Sequence, residues 1–397
     1  NVLLGDEPGL GKTVQAIGIC NKLMASNILI VCPAKLRNVW RAHIDEWLTY
    51  GGFVEIVSYN YLADPENVKK LMKKGPFDVG IFDEVHYLKN STAKRTKYTL
   101  AKNGLVSVIK KSVCISGTPI QNRPMDLYPI AKTMAPLAIE GMDKFGFGIR
   151  YCQGWKTPWG SWDFSGASNV KELGLRMRAN FMVRRTKDKV LKDLPEKFVN
   201  LVHVESKGGA LAMAHLETLD VETVIKGGGK LDGDVHISTA RQQVGVTKID
   251  FAVEYICEQL ESGHKKIVVF AHHKEVIDGL EEGMRAKEIG HVTIRGGMND
   301  AQSKLAVDQF QNAPDVRVFI GSLMASKEGI TLTAASYVIF VEFSWAPMDN
   351  EQAMDRTHRI GQKSNVMVDF LVHKGSLDER IAKFNIQKSK AIKEFGE

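Results

Sequence analysis

The chain has 397 residues, length for two or three domains, with 44% hydrophobic and 25% charged residues, the balance of a globular protein with sizeable cores. Lys and Arg number 53 against 46 Asp and Glu, and the resulting +7 permits a polyanionic partner without demanding one. No apolar run reaches the ~18–20 residues of a membrane helix, no basic-then-apolar leader points to secretion, and Cys20, Cys32, Cys114, Cys152 and Cys257 lack any C-x-x-C spacing, which favours a reducing intracellular setting over a disulfide or zinc framework.

Short apolar runs at Val2–Leu4, Ile28–Cys32, Val54–Val57, Val79–Phe82 and Val113–Ile115 read as buried strands. Between them Ala16, Ile17, Cys20, Leu23 and Met24 recur at helical spacing, as do Leu36, Val39, Trp40, Ile44 and Trp47. This alternation predicts a parallel sheet covered by helices on both faces, an α/β fold. The pattern stops near Pro136, and the stretch to Ser168 is rich in Gly, Trp and Phe without a clear period. Helical character returns at Val170–Asn180, followed by a basic stretch ending at Leu194-Pro195. Residues 201–245, with Gly208-Gly209 and Gly227-Gly228-Gly229, read as a helical, flexible connection. A second series follows, with strands at Ile267–Phe270, Val292–Ile294, Val316–Ile320, Tyr337–Val341 and Val366–Leu371. The expected domains are therefore 1–200 (with an insert at about 137–180) and 246–397, two α/β lobes facing each other.

Gly9-Leu10-Gly11-Lys12-Thr13 joins the first strand to the first helix, the setting a phosphate-binding loop needs. Gly9 and Gly11 let backbone N–H groups approach phosphates, and the helix N-terminus adds partial positive charge. Lys12 would pair with the β- and γ-phosphates of ATP, while Thr13 holds Mg2+. Asp6 stands where the strict G-x-x-x-x-G-K-[ST] pattern has its first Gly. Asp83-Glu84-Val85-His86 closes a buried strand, where an acidic pair needs a compensating cation. Asp83 is the expected second Mg2+ ligand, and Glu84 the group that orients and deprotonates water. Gln352, Arg356 and Arg359 follow i, i+4, i+7 spacing, which places them on one helix face. An arginine reaching from the second lobe to the γ-phosphate would make hydrolysis depend on lobe closure, an effect of roughly 10³–10⁵ in rate.

These motifs resemble those of superfamily-two helicases, specifically the Swi/Snf-type DNA translocases, whose fold is a pair of RecA-like P-loop lobes. Asp6-Glu7-Pro8-Gly9-Leu10-Gly11-Lys12-Thr13 resembles that family's D-E-x-G-x-G-K-T. Ile30-Val31-Cys32-Pro33, with Lys35 beside it, resembles the segment that contacts one DNA strand. Ser116-Gly117-Thr118-Pro119-Ile120-Gln121-Asn122 resembles the S-G-T-P-x-x-N motif that, with His86, couples the nucleotide site to DNA. Arg184-Arg185-Thr186-Lys187 through Leu194-Pro195 resembles the R-R-x-K…L-P block. Gly329-Ile330-Thr331-Leu332-Thr333 and Gln352 to Gln362 resemble the last two motifs. The resemblance implies DNA contacts at Pro33, Lys35, Arg184, Arg185, Gly329 and Thr331. Residues Phe145–Cys152 and Pro158–Asn169, with Phe270-Ala271-His272-His273-Lys274, look like the SMARCAL-type annealing helicases, which rewind DNA without processive strand separation. In that insert, Trp155, Trp159 and Trp162 either stack on bases or pack its own small core. The family's adenine-reading segment precedes the phosphate loop and is not among these residues, so the chain is expected to be the motor core of a longer product.

Lys94, Arg95, Lys97, Lys102, Lys110 and Lys111 form a stretch without acids, either a phosphate-binding surface or solvated helix faces. The leading expectation is an ATP- and Mg2+-dependent translocase on duplex or forked DNA, sequence-nonspecific because no recognition helix or finger motif is present, and monomeric. The alternatives are a strand-separating DNA or RNA helicase, and a non-hydrolysing nucleotide-switched scaffold. Compactness suggests a bacterial or viral protein rather than one of a eukaryotic nucleus.

Overall fold

A computed structural model describes residues 1–117, 123–204, 235–326, 330–376, 378–383 and 385. It divides into two compact units, Asn1–Val190 and a second from Leu191 onward, each built on a six-stranded sheet.

The first unit contains β1 (Val2–Leu4), β2 (Asn27–Cys32), β3 (Phe53–Ser58), β4 (Phe77–Phe82), β5 (Ile109–Ile115), a small antiparallel hairpin of β6 (Trp155–Lys156) and β7 (Trp162–Asp163), and β8 (Met182–Val183). The sheet runs β3-β2-β4-β5-β1-β8 with every neighbouring pair parallel. The inner stretches of the strands are apolar because both faces are covered there. Leu29 and Val31 enter one core with Phe82 and Cys114, while Ile28, Ile30 and Cys32 enter the other with Ile81 and Val113. The helix Lys12–Lys22 buries Ala16, Ile17 and Cys20, and Arg37–Trp47 buries Trp40 and Ile44. The expected stripes overran these helices. Leu23 caps the first, Met24 follows it with φ +47°, and both are exposed with Val39 and Trp47. The insert folds as the helix Lys144–Tyr151, the β6–β7 hairpin and the helix Val170–Asn180.

The second unit contains β9 (Lys197–Val204), β10 (Ile267–Ala271), β11 (His291–Ile294), β12 (Val318–Ser322), β13 (Tyr337–Phe340) and β14 (Val366–His373), ordered β11-β12-β10-β13-β14-β9 and parallel throughout. Its two cores lie on opposite faces, with Val268, Phe270 and Phe340 in one and Ile267, Val269 and Ile339 in the other. The boundary expected after residue 200 is displaced by β9, which pairs with β14 from Lys197↔Val366 to Val204↔His373. Phe198 and Val199 are exposed there, so the strand lacks the continuous buried signature of the others. Of the expected connection, 201–204 complete β9 and Val235–Val246 is a helix, while 205–234 lie outside the described residues. No helix among the described residues is long and apolar enough to cross a membrane.

Candidate functional site

The sheet order of the first unit assembles three motifs at one edge. β5 lies between β1 and β4, with Ile115 opposite Leu4 and Cys114 opposite Phe82. The segments leaving those C-terminal strand ends are Gly5–Thr13, Ser116-Gly117 and Asp83–His86, and such strand ends are where open α/β sheets bind ligands. Ser116 is fully buried, and its N–H donates to the Leu4 carbonyl at 3.1 Å. A Cβ on Gly117 would stand 2.9 Å from Pro8 Cγ and 3.4 Å from Lys12 Nζ, so only Gly allows this approach. Thr118 lies outside the described residues.

Gly9 (φ +89°) and Gly11 (φ +73°) adopt left-handed conformations, and Gly11 is the N-cap of the helix Lys12–Lys22. Thr13 sits half-buried in that helix's first turn. Lys12 Nζ donates to the Asp6 and Glu7 carbonyls at 2.7 and 3.0 Å, turned back onto its own loop. Asp6 is completely buried and accepts from the Arg185 backbone N–H at 2.8 Å, Arg185 Nη2 at 2.5 Å and Gln15 Nε2 at 3.0 Å. Burial opposes its ionisation, but the bonds from Arg185 and Gln15 outweigh burial and hold the carboxyl below its usual range. The Lys187 N–H donates to Glu7 Oε2 at 2.8 Å, and Arg184 Nη1 donates to the Gly5 and Gly117 carbonyls at 2.6 and 3.3 Å. The block 184–187 thus buttresses the segment Gly5–Glu7.

Asp83 is buried, with its Oδ2 accepting from Trp40 Nε1 at 2.8 Å and its carbonyl accepting from the buried Tyr59 hydroxyl at 2.8 Å. Burial, and then the adjacent Glu84 charge, push the Asp83 carboxyl well above its ordinary value. A cation would offset the cost of this buried acidic pair, and Asp83 with the Thr13 hydroxyl are the residues that would hold Mg2+ alongside nucleotide phosphates. Glu84 has φ +51°, rare for a non-glycine residue, and its Oε2 lies 3.1 Å from His86 Nδ1.

In the second unit the helix Pro347–Met354 stops before the arginines, because Asp355 caps it. Gln352 lies in that helix and is buried, but Arg356 and Arg359 follow in irregular turns, so the three do not share one helix face as expected. The arginines converge nonetheless, since Arg356 Nη1 and Arg359 Nη1 both donate to the Ile330 carbonyl, at 3.4 and 3.3 Å. The Leu332 N–H donates to the Arg356 carbonyl at 2.8 Å, joining the last two motifs. Burial lowers the affinity of Arg359 for its proton. Thr331 is half-buried beside Ile330, and Gly329 lies outside the described residues.

Among the expected DNA contacts, Pro33 is buried and Lys35 exposed. Arg184 donates to the Gly5 and Gly117 carbonyls and Arg185 to the Asp6 carboxylate, so both guanidinium groups have partners within the chain. Of the basic stretch, Lys110 pairs with Asp78 at 2.8 Å and Arg95 Nε donates to the Tyr87 carbonyl, while Lys94, Lys97, Lys102 and Lys111 are exposed. Gln15 and Tyr59 carried no signal in the sequence, and Gln362 carried one only as the end of the last motif. The Gln362 Nε2 donates to the Ala335 carbonyl at 2.7 Å, and its Oε1 accepts from the Lys363 and Ser364 N–H groups. Trp40 carried a signal only as part of an apolar stripe, which does not reveal its indole N–H on Asp83.

Residues 1–53 and 49–213 match the SNF2-related domain. The chain belongs to the SNF2-related family. Residues 247–361 of this SNF2-related chain match the helicase conserved C-terminal domain. It is 33% identical over 414 aligned residues to the SWI/SNF-related matrix-associated actin-dependent regulator of chromatin subfamily A-like protein 1 of Xenopus laevis, covering 100% of this chain and 42% of that protein. It is 30% identical to the DNA annealing helicase and endonuclease ZRANB3 of Homo sapiens, over 95% of this chain and 37% of that protein. The chain thus spans about two-fifths of the length of these curated relatives. A Sulfolobus solfataricus SWI2/SNF2 ATPase core in complex with dsDNA is similar over 98% of this chain and 87% of that one, with 22% identity and a TM-score of 0.41. Both curated relatives are animal proteins, which overturns the expectation of a bacterial or viral protein rather than one of a eukaryotic nucleus.

Proposed function

We propose that this SNF2-related chain is the motor core of an ATP-driven, DNA-stimulated translocase that acts as a monomer on double-stranded or forked DNA and remodels or reanneals it. The observation that carries the reading is the meeting of Lys12, Thr13, Asp83 and Glu84 at neighbouring strand ends, with Ser116-Gly117 between their segments. Its relatives' names, a regulator of chromatin and a DNA annealing helicase, support the choice of DNA.

In the proposed cycle, Lys12 leaves the Asp6 and Glu7 carbonyls to pair with the β- and γ-phosphates of ATP, while the N–H groups of Gly9 and Gly11 cradle them. Thr13 and Asp83 would hold Mg2+, which would supply charge neutralisation at the phosphates. Glu84 orients the attacking water and takes its proton. Arg356 and Arg359, supported by Gln352, give positive charge to the transferring phosphoryl group. His86, Ser116, Gly117 and Thr118 couple nucleotide state to DNA, which Pro33, Lys35, Gly329 and Thr331 contact. Arg184 and Arg185 serve here as supports of the loop. Displacement of a triplex-forming strand from duplex DNA tests translocation directly. ATP-dependent displacement by the wild type and none by Glu84→Gln is the expected result, and displacement without ATP contradicts it.

A further inference from the structure

The hairpin β6–β7 places one tryptophan where no fold-stabilising reason holds it. Its turn is closed by the Thr157 N–H on the Ser161 carbonyl at 2.8 Å and the Gly160 N–H on the Thr157 carbonyl at 2.9 Å, with Gly160 at φ +79°. Ring contacts brace the base of the hairpin, although Phe145, Trp155 and Trp162 are each about half exposed. Trp162 stacks on Phe164 (6.2 Å between ring centroids, 9° between planes) and meets Phe145 edge-on at 4.8 Å. Phe164 in turn fills the space that Gly148 and Gly154 leave, where a Cβ would stand 2.4 and 2.6 Å from its ring. Trp159, at the tip after Pro158, is 93% exposed. The three tryptophans therefore differ: Trp162 has ring partners while 43% exposed, Trp155 is 52% exposed, and Trp159 is the most exposed of them.

A bare indole on a braced support suits a flat aromatic ligand better than an apolar protein surface, which needs a contiguous patch. The charge around it points the same way. Arg150 and Arg176 of the insert are engaged by Glu140 and Glu172, so the cation that bears on the hairpin is its own Lys156. The exposed Lys156 lies directly across the hairpin from Trp162, and Asp163 Oδ1 is taken up by the Ser165 N–H. We infer that Trp159 is a stacking platform for an unpaired nucleobase of a single-stranded DNA segment, with Lys156 on the adjoining phosphate. The inference rests on the motor reading for its choice of nucleic acid and adds to it a contact with unpaired DNA separate from the duplex contacts at Pro33 and Lys35.

The test uses the full chain, a blunt duplex, and a splayed fork of the same duplex length with 2-aminopurine in one arm. Trp159→Ala removes a side chain that touches almost nothing, so the fold is retained. It is expected to weaken fork binding by about 5- to 100-fold and to abolish the change in 2-aminopurine emission, while duplex-stimulated ATP hydrolysis stays within about twofold of wild type. Trp159→Phe should restore most of the affinity and the emission change. Equal fork affinity and emission in wild type and Trp159→Ala, with duplex stimulation present, overturns the stacking platform and leaves the motor reading standing. Equal loss of fork and duplex binding in Trp159→Ala also overturns it. An emission change that depends on Trp159 in a wild type that DNA does not stimulate supports the platform and overturns the motor reading alone.

Discussion

The carboxylate of Asp6, wholly buried, is gripped by Arg185, whose Nη2 and Nε stand 2.5 and 3.1 Å from Oδ2 across a sequence separation of 179 residues. This contact accounts for the departure from the usual phosphate-loop pattern. A Gly at position 6 would leave Arg185 and Gln15 without their shared acceptor, and the segment 184–187 would hold the loop through Gly5 and Glu7 but no longer through residue 6.

Arg185→Ala strands a buried carboxylate. Breaking a buried pair costs about 3–5 kcal/mol, and because Arg185 is half-exposed a cost of about 1–3 kcal/mol is expected. At about 2–4 °C per kcal/mol for a unit of this size, the melting temperature should fall by about 2–12 °C, together with weaker nucleotide binding. The folded pKa of Asp6 is lowered, so its contribution is present above the unfolded value of about 3.9 and is lost as pH falls through the lowered value. Melting curves of wild type and Asp6→Asn should therefore differ at pH 7 and converge in acid.

For the hydrolytic centre, Lys12→Ala is expected to abolish nucleotide turnover. Glu84→Gln should retain ATP and DNA binding but hydrolyse at least 100-fold more slowly, in the range of a lost general base. Normal turnover in Lys12→Ala removes the site assignment, and failure of Glu84→Gln to fold assigns Glu84 a structural role.

Arg359→Ala should leave DNA affinity intact while the stimulated hydrolysis rate falls by roughly 10³–10⁵. Either Arg356→Ala or Arg359→Ala removes a donor to the Ile330 carbonyl, so some loss of stability accompanies both defects. Retained stimulation in Arg359→Ala contradicts the proposed charge-stabilising role.

Salt dependence separates the two sets of expected DNA contacts. Lys35→Ala should lower the slope of log affinity against log salt by about 1. Arg184→Ala should leave that slope unchanged and lower stability instead, because its guanidinium already serves the Gly5 and Gly117 carbonyls. A reduced slope for Arg184→Ala restores it to the DNA surface.

Much of the architecture was legible because the strands that matter are continuous apolar runs. β2, β4, β10 and β14 announce themselves, and Lys12-Thr13 and Asp83-Glu84 follow directly from β1 and β4. β8 escaped because two residues have no period, and β9 because its Phe198 and Val199 face solvent behind Pro195. The helical spacing of Arg356 and Arg359 misled because Asp355 ends the helix, yet the convergence on Ile330 survives through tertiary structure. The role of Arg185 was illegible for another reason. A surface cation and a loop clamp have the same sequence, and only the position of Asp6 distinguishes them.

The motor reading is tested most directly by the rate of ATP hydrolysis with no nucleic acid, single-stranded DNA, blunt duplex, forked duplex and RNA. Strong stimulation by duplex and forked DNA, little by RNA, and none by any of them in Glu84→Gln is the expected result. Stimulation by RNA alone, or hydrolysis indifferent to every nucleic acid, would contradict it.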